Sequence, residues 1–480
     1  MKSKIKDLFS QTIIYSLGGM SLRLISFLLL PVYLAYLSPA DYGVVEIINI
    51  LISVLTIIMG FGVSSAVFRE YYREESTEYK KKIIGTAFLF LLIVGLVILI
   101  ILISFSKVLA PILLGVEKQQ YLFILLIINT YFAVLLGVNY AVIRAKEKPI
   151  LFTIFNVLRT IIYATVNIYL IVVLKRGYVG VCEGITSATI ITFIASSFIL
   201  LKNIKLTVDF KILKNILKFG LPLIVSGLSL WILNLTDRYM LKFLLPAEIA
   251  FSKIGIYSLA AKFANIVKMI IIQPFSLSWG VAMYKHEKAG DAKAFYARTF
   301  KYFLVIEAIF FIGIVIFSQP IIEIIAKNSD YHEAYKIIPL LTASALFSGL
   351  FMLLSVGLTL TYKNKLASIA TMIAASVNIL LNFILIPKFN IYGAAYASMI
   401  ASVLLIILQY FFAQKNYRIS YNILLFFESV IICFGVTYLT MNYNLVLIFR
   451  IILLVISIGV LMKISKLRIS NMKNILKGNI

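Results

Sequence analysis

The sequence has little of what metal and redox centres require. Its 480 residues include 2 cysteines and 2 histidines; Cys182 and Cys433 lie in apolar stretches, and His286 and His332 lie in loops. Two cysteines placed in this way predict neither a disulfide framework nor a metal site. The sequence also has no Gly-x-x-x-x-Gly-Lys-Ser/Thr run, so ATP hydrolysis is not expected. We therefore expect no catalytic residues, no metal and no cofactor.

Acidic residues are scarce as well. The chain has 20 Asp and Glu against 45 Lys and Arg, which gives a formal net charge of +25. Such an excess can indicate nucleic-acid binding, but here the basic residues stand mainly in short loops beside apolar runs. Membrane topology and attraction to anionic lipid explain that placement better. We expect a lipid bilayer as a partner, and no nucleic acid.

Long apolar runs are what the sequence has in abundance. Hydrophobic residues make up 62% of the chain. They fall into about fourteen runs of roughly twenty residues, each long enough to cross about 30 Å of hydrocarbon. Little sequence is left for a soluble catalytic domain, so an enzyme is not expected. The sequence predicts an all-α polytopic membrane protein with about fourteen transmembrane helices.

The basic residues of the loops predict an orientation. Loops on one side of the predicted spans hold about 30 Lys and Arg, and those on the other side hold roughly 9, a bias that places the basic side in the cytoplasm. Both termini belong to the basic side. We therefore expect a multi-pass protein of the bacterial cytoplasmic membrane with cytoplasmic N- and C-termini.

Short motifs recur along the chain in the same order. Val166-Asn167-Ile168 is repeated as Val377-Asn378-Ile379, and a glycine follows each motif at the next link, Gly180 and Gly393. A repeat of this length predicts two lobes of like orientation. We expect lobes of six helices at 1–202 and 203–413. Two appended helices and a basic tail would occupy 414–480.

Four cations within the predicted spans are the candidate substrate-binding residues. Arg23 lies in span 1, Arg159 in span 5, and Lys262 and Lys268 in span 8. Each such charge costs about 2.5–3.5 kcal/mol on insertion scales, so it needs a reason to be there. An excess of positive charge inside the membrane favours an anionic substrate over a cationic drug.

A second candidate is the pair Asp237 and Arg238 in the outer half of span 7. The pair is interpreted as a gate or an ion-coupling site, or else as an ion pair with neighbours at the membrane interface. Three further cations, Lys242, Lys253 and Arg450, lie close enough to an interface for their charged ends to reach water.

Six short motifs appear in a fixed order along the spans. They are Asp41-Tyr42-Gly43, Gly60-Phe61-Gly62, Arg69-Glu70-Tyr71, Gly220-Leu221-Pro222, Thr236-Asp237-Arg238-Tyr239 and Gly255-Ile256-Tyr257-Ser258. In this order the chain resembles the polysaccharide flippases of the multidrug/oligosaccharidyl-lipid/polysaccharide exporter superfamily. The resemblance implies a V-shaped pair of lobes that open alternately to each side of the membrane.

The resemblance also implies a substrate and partners. The substrate would be an undecaprenyl-pyrophosphate-linked oligosaccharide, used for O-antigen, capsule or related polysaccharide assembly. A polysaccharide polymerase and chain-length machinery would be partners. In such flippases basic residues of spans 1 and 8 commonly line a cationic cavity, and the matching positions here are Arg23 and Lys262, with Lys268 further along span 8.

Three alternatives remain open. A lipid II flippase of peptidoglycan synthesis shares the fourteen-span layout and a basic cavity. A cation-coupled multidrug antiporter normally has twelve spans and acidic residues in its N-terminal lobe, whereas spans 1 to 6 here hold no carboxylate near the midplane. A membrane glycosyltransferase or polymerase, which would need acidic residues on a substantial loop, ranks last.

Overall fold

The computed structural model describes residue 25 and residues 27–466, except for the single positions 75, 203, 288 and 444. For residues 226, 229, 230, 233, 234, 277, 278 and 281 it describes the backbone alone. Within these residues the chain forms helices and no strand. Eleven of the helical stretches are long and apolar enough to cross a membrane. The prediction of an all-α polytopic membrane protein is confirmed.

The described residues form seventeen α-helices, α1 to α17 in chain order. They are α1 (Leu30–Tyr36), α2 (Pro39–Met59), α3 (Val63–Tyr71), α4 (Thr77–Ser104), α5 (Ser106–Leu113), α6 (Gln119–Ala145), α7 (Pro149–Ile168), α8 (Gly177–Leu201), α9 (Phe210–Leu244), α10 (Ala247–Val267), α11 (Gln273–His286), α12 (Ala292–Ile325), α13 (Ala334–Leu354), α14 (Val356–Leu360), α15 (Asn364–Asn416), α16 (Ile423–Asn442) and α17 (Leu447–Ser465). Two π-helical segments, Tyr169–Val173 and Lys268–Ile272, and a 3-10 helix, Ser329–Glu333, complete the set.

The longest helix, α15, contains a break that separates two predicted spans. Asn390 has φ 52° and ψ −129°, which is not a helical conformation. Asparagine tolerates positive φ better than most side chains because its short polar group bonds locally. Spans 11 and 12 therefore meet at Asn390, between the predicted ranges 365–386 and 392–413.

The start of α2 explains the first sequence motif. Ser38 accepts a hydrogen bond from the Asp41 amide at 3.1 Å, and Asp41 accepts one from the Ser38 amide at 3.0 Å. This reciprocal capping box, followed by Pro39 at the first helical position, satisfies amides that the helix itself cannot pair. Tyr42 and Gly43 come next and are buried. The motif thus fixes where span 2 begins.

The described helices divide into two compact units, with the boundary between Thr236 and Asp237. In the first unit α6 is central and packs against α8, α4, α2 and α3. Its core includes Met59, Val67, Leu91 and Val138, each at most 1% exposed. The lobe boundaries at 202/203 and 413/414 stay a prediction.

Two glycine motifs of the first unit meet through their backbones. The turn between α2 and α3 is made by Phe61 and Gly62, with φ 49° and 64°. A side-chain carbon on Gly62 would collide with the Gly220 carbonyl, and one on Gly220 would collide with the Phe61 carbonyl. Both positions therefore require glycine for close backbone approach.

In the second unit α12 is central and packs against α13, α16, α17 and α10. The two appended helices, α16 and α17, thus lie directly on α12. Arg450 of α17 is 4% exposed and bonds to the backbone and side chains of its neighbours. The expectation that Arg450 reaches water is wrong, because the protein itself supplies acceptors for its guanidinium.

The two links that the sequence repeat relates each contain a residue with positive φ. Gly177 has φ 56° and lies three residues before Gly180, while Asn390 has φ 52° and lies three residues before Gly393. At Gly393 a side chain would collide with the Leu385 carbonyl. Each link thus has a residue of positive φ three positions before its glycine, and the internal repeat stays a prediction.

Candidate functional site

Arg159 places a cation within α7 of the first unit. Its Nη2 donates to Thr189 Oγ1 on α8 at 3.0 Å, and the Thr189 hydroxyl donates in turn to the Ile185 carbonyl at 2.9 Å. Tyr140 and Tyr163 are close enough to act on the guanidinium electrostatically. No described carboxylate forms an ion pair with Arg159. The side chain is held in place by neutral partners and keeps its charge uncompensated.

A second polar group of the first unit consists of two tyrosines and an amide. The Tyr33 and Tyr163 hydroxyls lie 2.7 Å apart, and Tyr33 also donates to Asn167 Oδ1 at 3.5 Å. Asn167 packs against Gly184, where a Cβ would collide with the amide. This group links span 1 to spans 5 and 6. Arg23, the other candidate of the first unit, lies outside the described residues.

Asp237 is the centre of a polar cluster in the second unit. Its carboxylate accepts hydrogen bonds from Tyr257 at 2.8 Å, from Ser398 at 2.6 Å and from Asn382 at 2.9 Å. Asn378 also belongs to the cluster, because its Oδ1 accepts a hydrogen bond from the Asn382 side-chain amide at 3.1 Å. These groups come from α9, α10 and both halves of α15, so four predicted spans converge on one carboxylate.

Asp237 is a candidate that its position in a span identifies, whereas its partners were not predicted. Tyr257 belongs to the Gly255-Ile256-Tyr257-Ser258 motif, and Asn378 belongs to the repeated Val-Asn-Ile motif, so both were visible as motifs without a role. Asn382 follows Asn378 at the i+4 spacing that places two amides on one helix face. The amide oxygen of Asn382 is buried and has no hydrogen-bond partner among the described residues.

Arg238 does not form an ion pair with a described carboxylate. It is 6% exposed; its Nε donates to Ser258 Oγ at 2.9 Å, and its guanidinium lies 5.8 Å from the centre of the Tyr257 ring. Two successive residues of α9 thus bind two successive residues of α10. This arrangement fixes the two spans against each other around the Asp237 cluster.

Lys262 and Lys268 also belong to the second unit, in α10 and at the start of the adjoining π-helical segment. Both side chains are partly buried. Arg238 is close enough to Lys268 to act on it electrostatically, and no described carboxylate forms an ion pair with Lys268. π-helical turns within α-helices occur frequently at functional sites.

Basic residues also gather at the end of the first unit that the charge bias places in the cytoplasm. Burial lowers the pKa of Lys146, and the neighbouring Lys148 and Lys81 lower the pKa further. Beside them Arg144 lies over the ring of Phe68 at 5.4 Å. Positive charges held this close together attract anions to this end of the unit.

The described residues of each unit thus place cations and hydrogen-bonded polar clusters among apolar helices. The structure is similar to that of the lipid II flippase MurJ in an inward closed conformation, with TM-score 0.75 and 18% identity over 94% of this chain and 98% of that chain. It is also similar to an inward-facing multidrug resistance MATE family transporter of the MOP superfamily, with TM-score 0.62 and 16% identity over 85% of this chain and 96% of that one.

The chain belongs to the polysaccharide biosynthesis protein family, whose model matches residues 8–279. This match confirms the expected relation to polysaccharide biosynthesis proteins, and the structural similarities confirm the expected fold. A further similar structure is a MOP superfamily transporter from Pyrococcus furiosus, with TM-score 0.53 and 16% identity over 85% of this chain and 96% of that one; its description reports a reversed polarity of the binding pocket. No sequence among the curated proteins matches this chain.

Proposed function

We propose that the chain is a flippase that moves undecaprenyl-pyrophosphate-linked oligosaccharide repeat units across the bacterial cytoplasmic membrane by alternating access. The units would serve O-antigen, capsule or related polysaccharide assembly. The observation that carries the proposal is positive charge inside the membrane without a negative partner. Arg159 and Lys268 form no ion pair with a described carboxylate, although charge at this depth is costly.

A pyrophosphate fits these side chains chemically. A guanidinium can donate two parallel hydrogen bonds to phosphate oxygens, while an ammonium acts as a point charge. In the proposal Arg23 and Lys262 neutralise the pyrophosphate, and Arg159 and Lys268 assist. The Thr189 hydroxyl orients Arg159 without cancelling its charge. The polyprenyl tail stays in the bilayer while the sugars cross.

In the same proposal Asp237 supplies the ion-coupling site. The buried Asn382 amide oxygen, which has no hydrogen-bond partner in the described part of the chain, and the Asp237 carboxylate are oxygen ligands of the kind that small hard cations prefer. Arg238 holds α9 against α10 through Ser258, and so belongs to the gate rather than to the ion ligands.

The proposal is tested by replacing the chromosomal gene with Arg159→Gln, Arg159→Lys and Lys268→Gln variants. Loss of one charge-assisted contact, about 1.5–3 kcal/mol, corresponds to a decrease in transport of roughly 10- to 100-fold. The measurements are surface polymer and the mass of lipid-linked intermediates. We expect a complete, unpolymerised unit to accumulate in both Gln variants and less of it in Arg159→Lys. Arg176→Gln, which removes an ion-paired arginine, is the matched control. Undiminished export in both Gln variants contradicts the proposal.

A lipid II flippase is the second candidate, favoured by the similarity to MurJ along almost the whole chain. The same mass measurement separates the two functions. A lipid-linked peptide-bearing disaccharide would accumulate if lipid II is the substrate. The gene would then also restore growth to cells depleted of their own lipid II flippase.

A further inference from the structure

Glu307 is a buried acid that the proposed transport site does not use. It lies on α12, is 1% exposed, and neither carboxyl oxygen has a hydrogen-bond partner among the described residues. Its carboxyl fills the space beside Gly349 of α13, because a Cβ built on Gly349 would collide with Glu307 Oε1. The same Cβ would lie 2.8 Å from the Phe303 ring and 3.2 Å from the Ile272 side chain. The Phe303 ring and the Ile272 side chain therefore border this space with apolar atoms.

No described charged group pairs with this carboxyl. The neighbouring elements carry charged side chains at Lys262 on α10, Lys268 on the π-helical segment, Glu428 on α16 and Arg450 on α17, and none of them forms a hydrogen bond or an ion pair with Glu307. An isolated carboxylate in such surroundings costs far more than a neutral acid, and a group in this position binds a proton instead. The buried Glu307 carboxyl thus suits one ligand, a proton.

An aromatic column separates Glu307 from the end of the unit that is predicted to be cytoplasmic. Phe303, one turn before Glu307, has its ring centre 4.5 Å from that of Phe275, and Phe275 stacks on Trp279 at 5.6 Å. The column continues through Trp279 and Phe295 at 6.2 Å to a His286 ring stacked on Phe295 at 4.0 Å. These rings form a continuous stack that connects Phe303, one turn from the acid, to His286.

The column lies directly after a segment that departs from α-helical geometry. The π-helical turn Lys268–Ile272 precedes Pro274, which lacks the amide that would continue the ladder of hydrogen bonds. The Ile272 side chain and the Glu307 carboxyl both border the space beside Gly349. Movement of the Lys268–Ile272 segment therefore acts on both the acid and the aromatic column.

We propose that Glu307 is an occluded proton-binding site, which exchanges its proton when the Phe303–Phe275–Trp279–Phe295–His286 column opens. The site is separate from the Asp237 cluster and does not depend on which lipid the chain carries. The titratable groups along the column are His286 at its end and Tyr296, whose hydroxyl donates to the Met283 carbonyl at 2.8 Å. His286 needs its own control because its ring forms the end of the column.

The first test is infrared spectroscopy of the full-length protein in lipid nanodiscs. We expect the carbonyl-stretch band of a protonated carboxylic acid, and its loss in Glu307→Gln, which keeps the size of the neutral acid. Gly349→Ala, which pushes on the carboxyl, should shift the same band. A spectrum that is unchanged in both variants overturns the proposal.

The second test uses the tryptophans. The chain has 2, so Trp231→Phe leaves Trp279 in the column as the only tryptophan, which is excited selectively at wavelengths that tyrosine does not absorb. We expect its emission to titrate with pH, to lose that titration when Glu307→Gln is added, and to keep it when His286→Gln is added. If the titration survives in Glu307→Gln and disappears in His286→Gln, the column responds to the histidine and the proposal is wrong.

Discussion

Arg450 donates a hydrogen bond to the backbone carbonyl of Ile316, the acceptor that Pro320 leaves without a partner in α12. Proline has no amide hydrogen, so the carbonyl four residues before it loses its helical bond. The same guanidinium donates to Gln319 Oε1 at 2.7 Å and to the Leu445 carbonyl at 2.8 Å. A buried charge of the appended helices is thus explained by structure rather than by substrate.

Removal of Arg450 should destabilise the protein. Arg450→Leu leaves the Ile316 carbonyl and the Gln319 side chain without their donor, at a cost of about 1–3 kcal/mol for each buried group. We expect a lower melting temperature in detergent, measured by tryptophan emission. Lys463→Leu removes an exposed cation from the same helix and should leave the melting temperature unchanged. Equal melting temperatures for the two variants would show that the Arg450 contacts contribute nothing to the stability of the folded protein.

The Gly62–Gly220 contact gives a second prediction. Alanine at either position would collide with the backbone of the other segment, and Gly62 also has positive φ. We therefore expect the yield of folded protein to fall strongly in both Gly62→Ala and Gly220→Ala. Gly313 of α12 has open space around it, and Gly313→Ala should be neutral or gain up to about 1 kcal/mol. The yield of monodisperse protein after gel filtration is the measurement. Similar yields for all three variants would refute the close approach.

The spans could be predicted from the sequence because hydrophobic length and loop charge are local properties of the chain. The hydrogen-bond partners of Asp237 could not be predicted from the sequence. Tyr257, Asn382 and Ser398 lie 20, 145 and 161 residues away from it in sequence. Which face of each helix meets which neighbour depends on the packing of several helices at once. The role of Arg450 was missed for the same reason, since its acceptor is a carbonyl 134 residues earlier.

Asp237 should confer a response to a monovalent cation. If the carboxylate and the Asn382 oxygen bind Na⁺, replacement of choline chloride by sodium chloride at equal ionic strength should raise the melting temperature, because a ligand that binds only the folded protein stabilises it. Asp237→Asn and Asn382→Ala should reduce or abolish that rise. Asp291→Asn, at an exposed loop position, should retain it. A sodium response that is the same in all variants would exclude the cluster as the ion site.

The orientation in the membrane follows from loop charge alone and can be measured with two matched variants. Tyr362 and Tyr443 are both exposed, 94% and 55%, and lie in links that the charge bias places on opposite sides. The link at Tyr362 carries Lys363 and Lys365, so it should remain in the cytoplasm. In a background of Cys182→Ser and Cys433→Ser, a membrane-impermeant thiol reagent added to intact cells should label Tyr443→Cys, and should label Tyr362→Cys only after permeabilisation. The opposite pattern would mean that both termini lie outside, and that the basic end of the first unit, at Lys146, could not receive a substrate made in the cytoplasm.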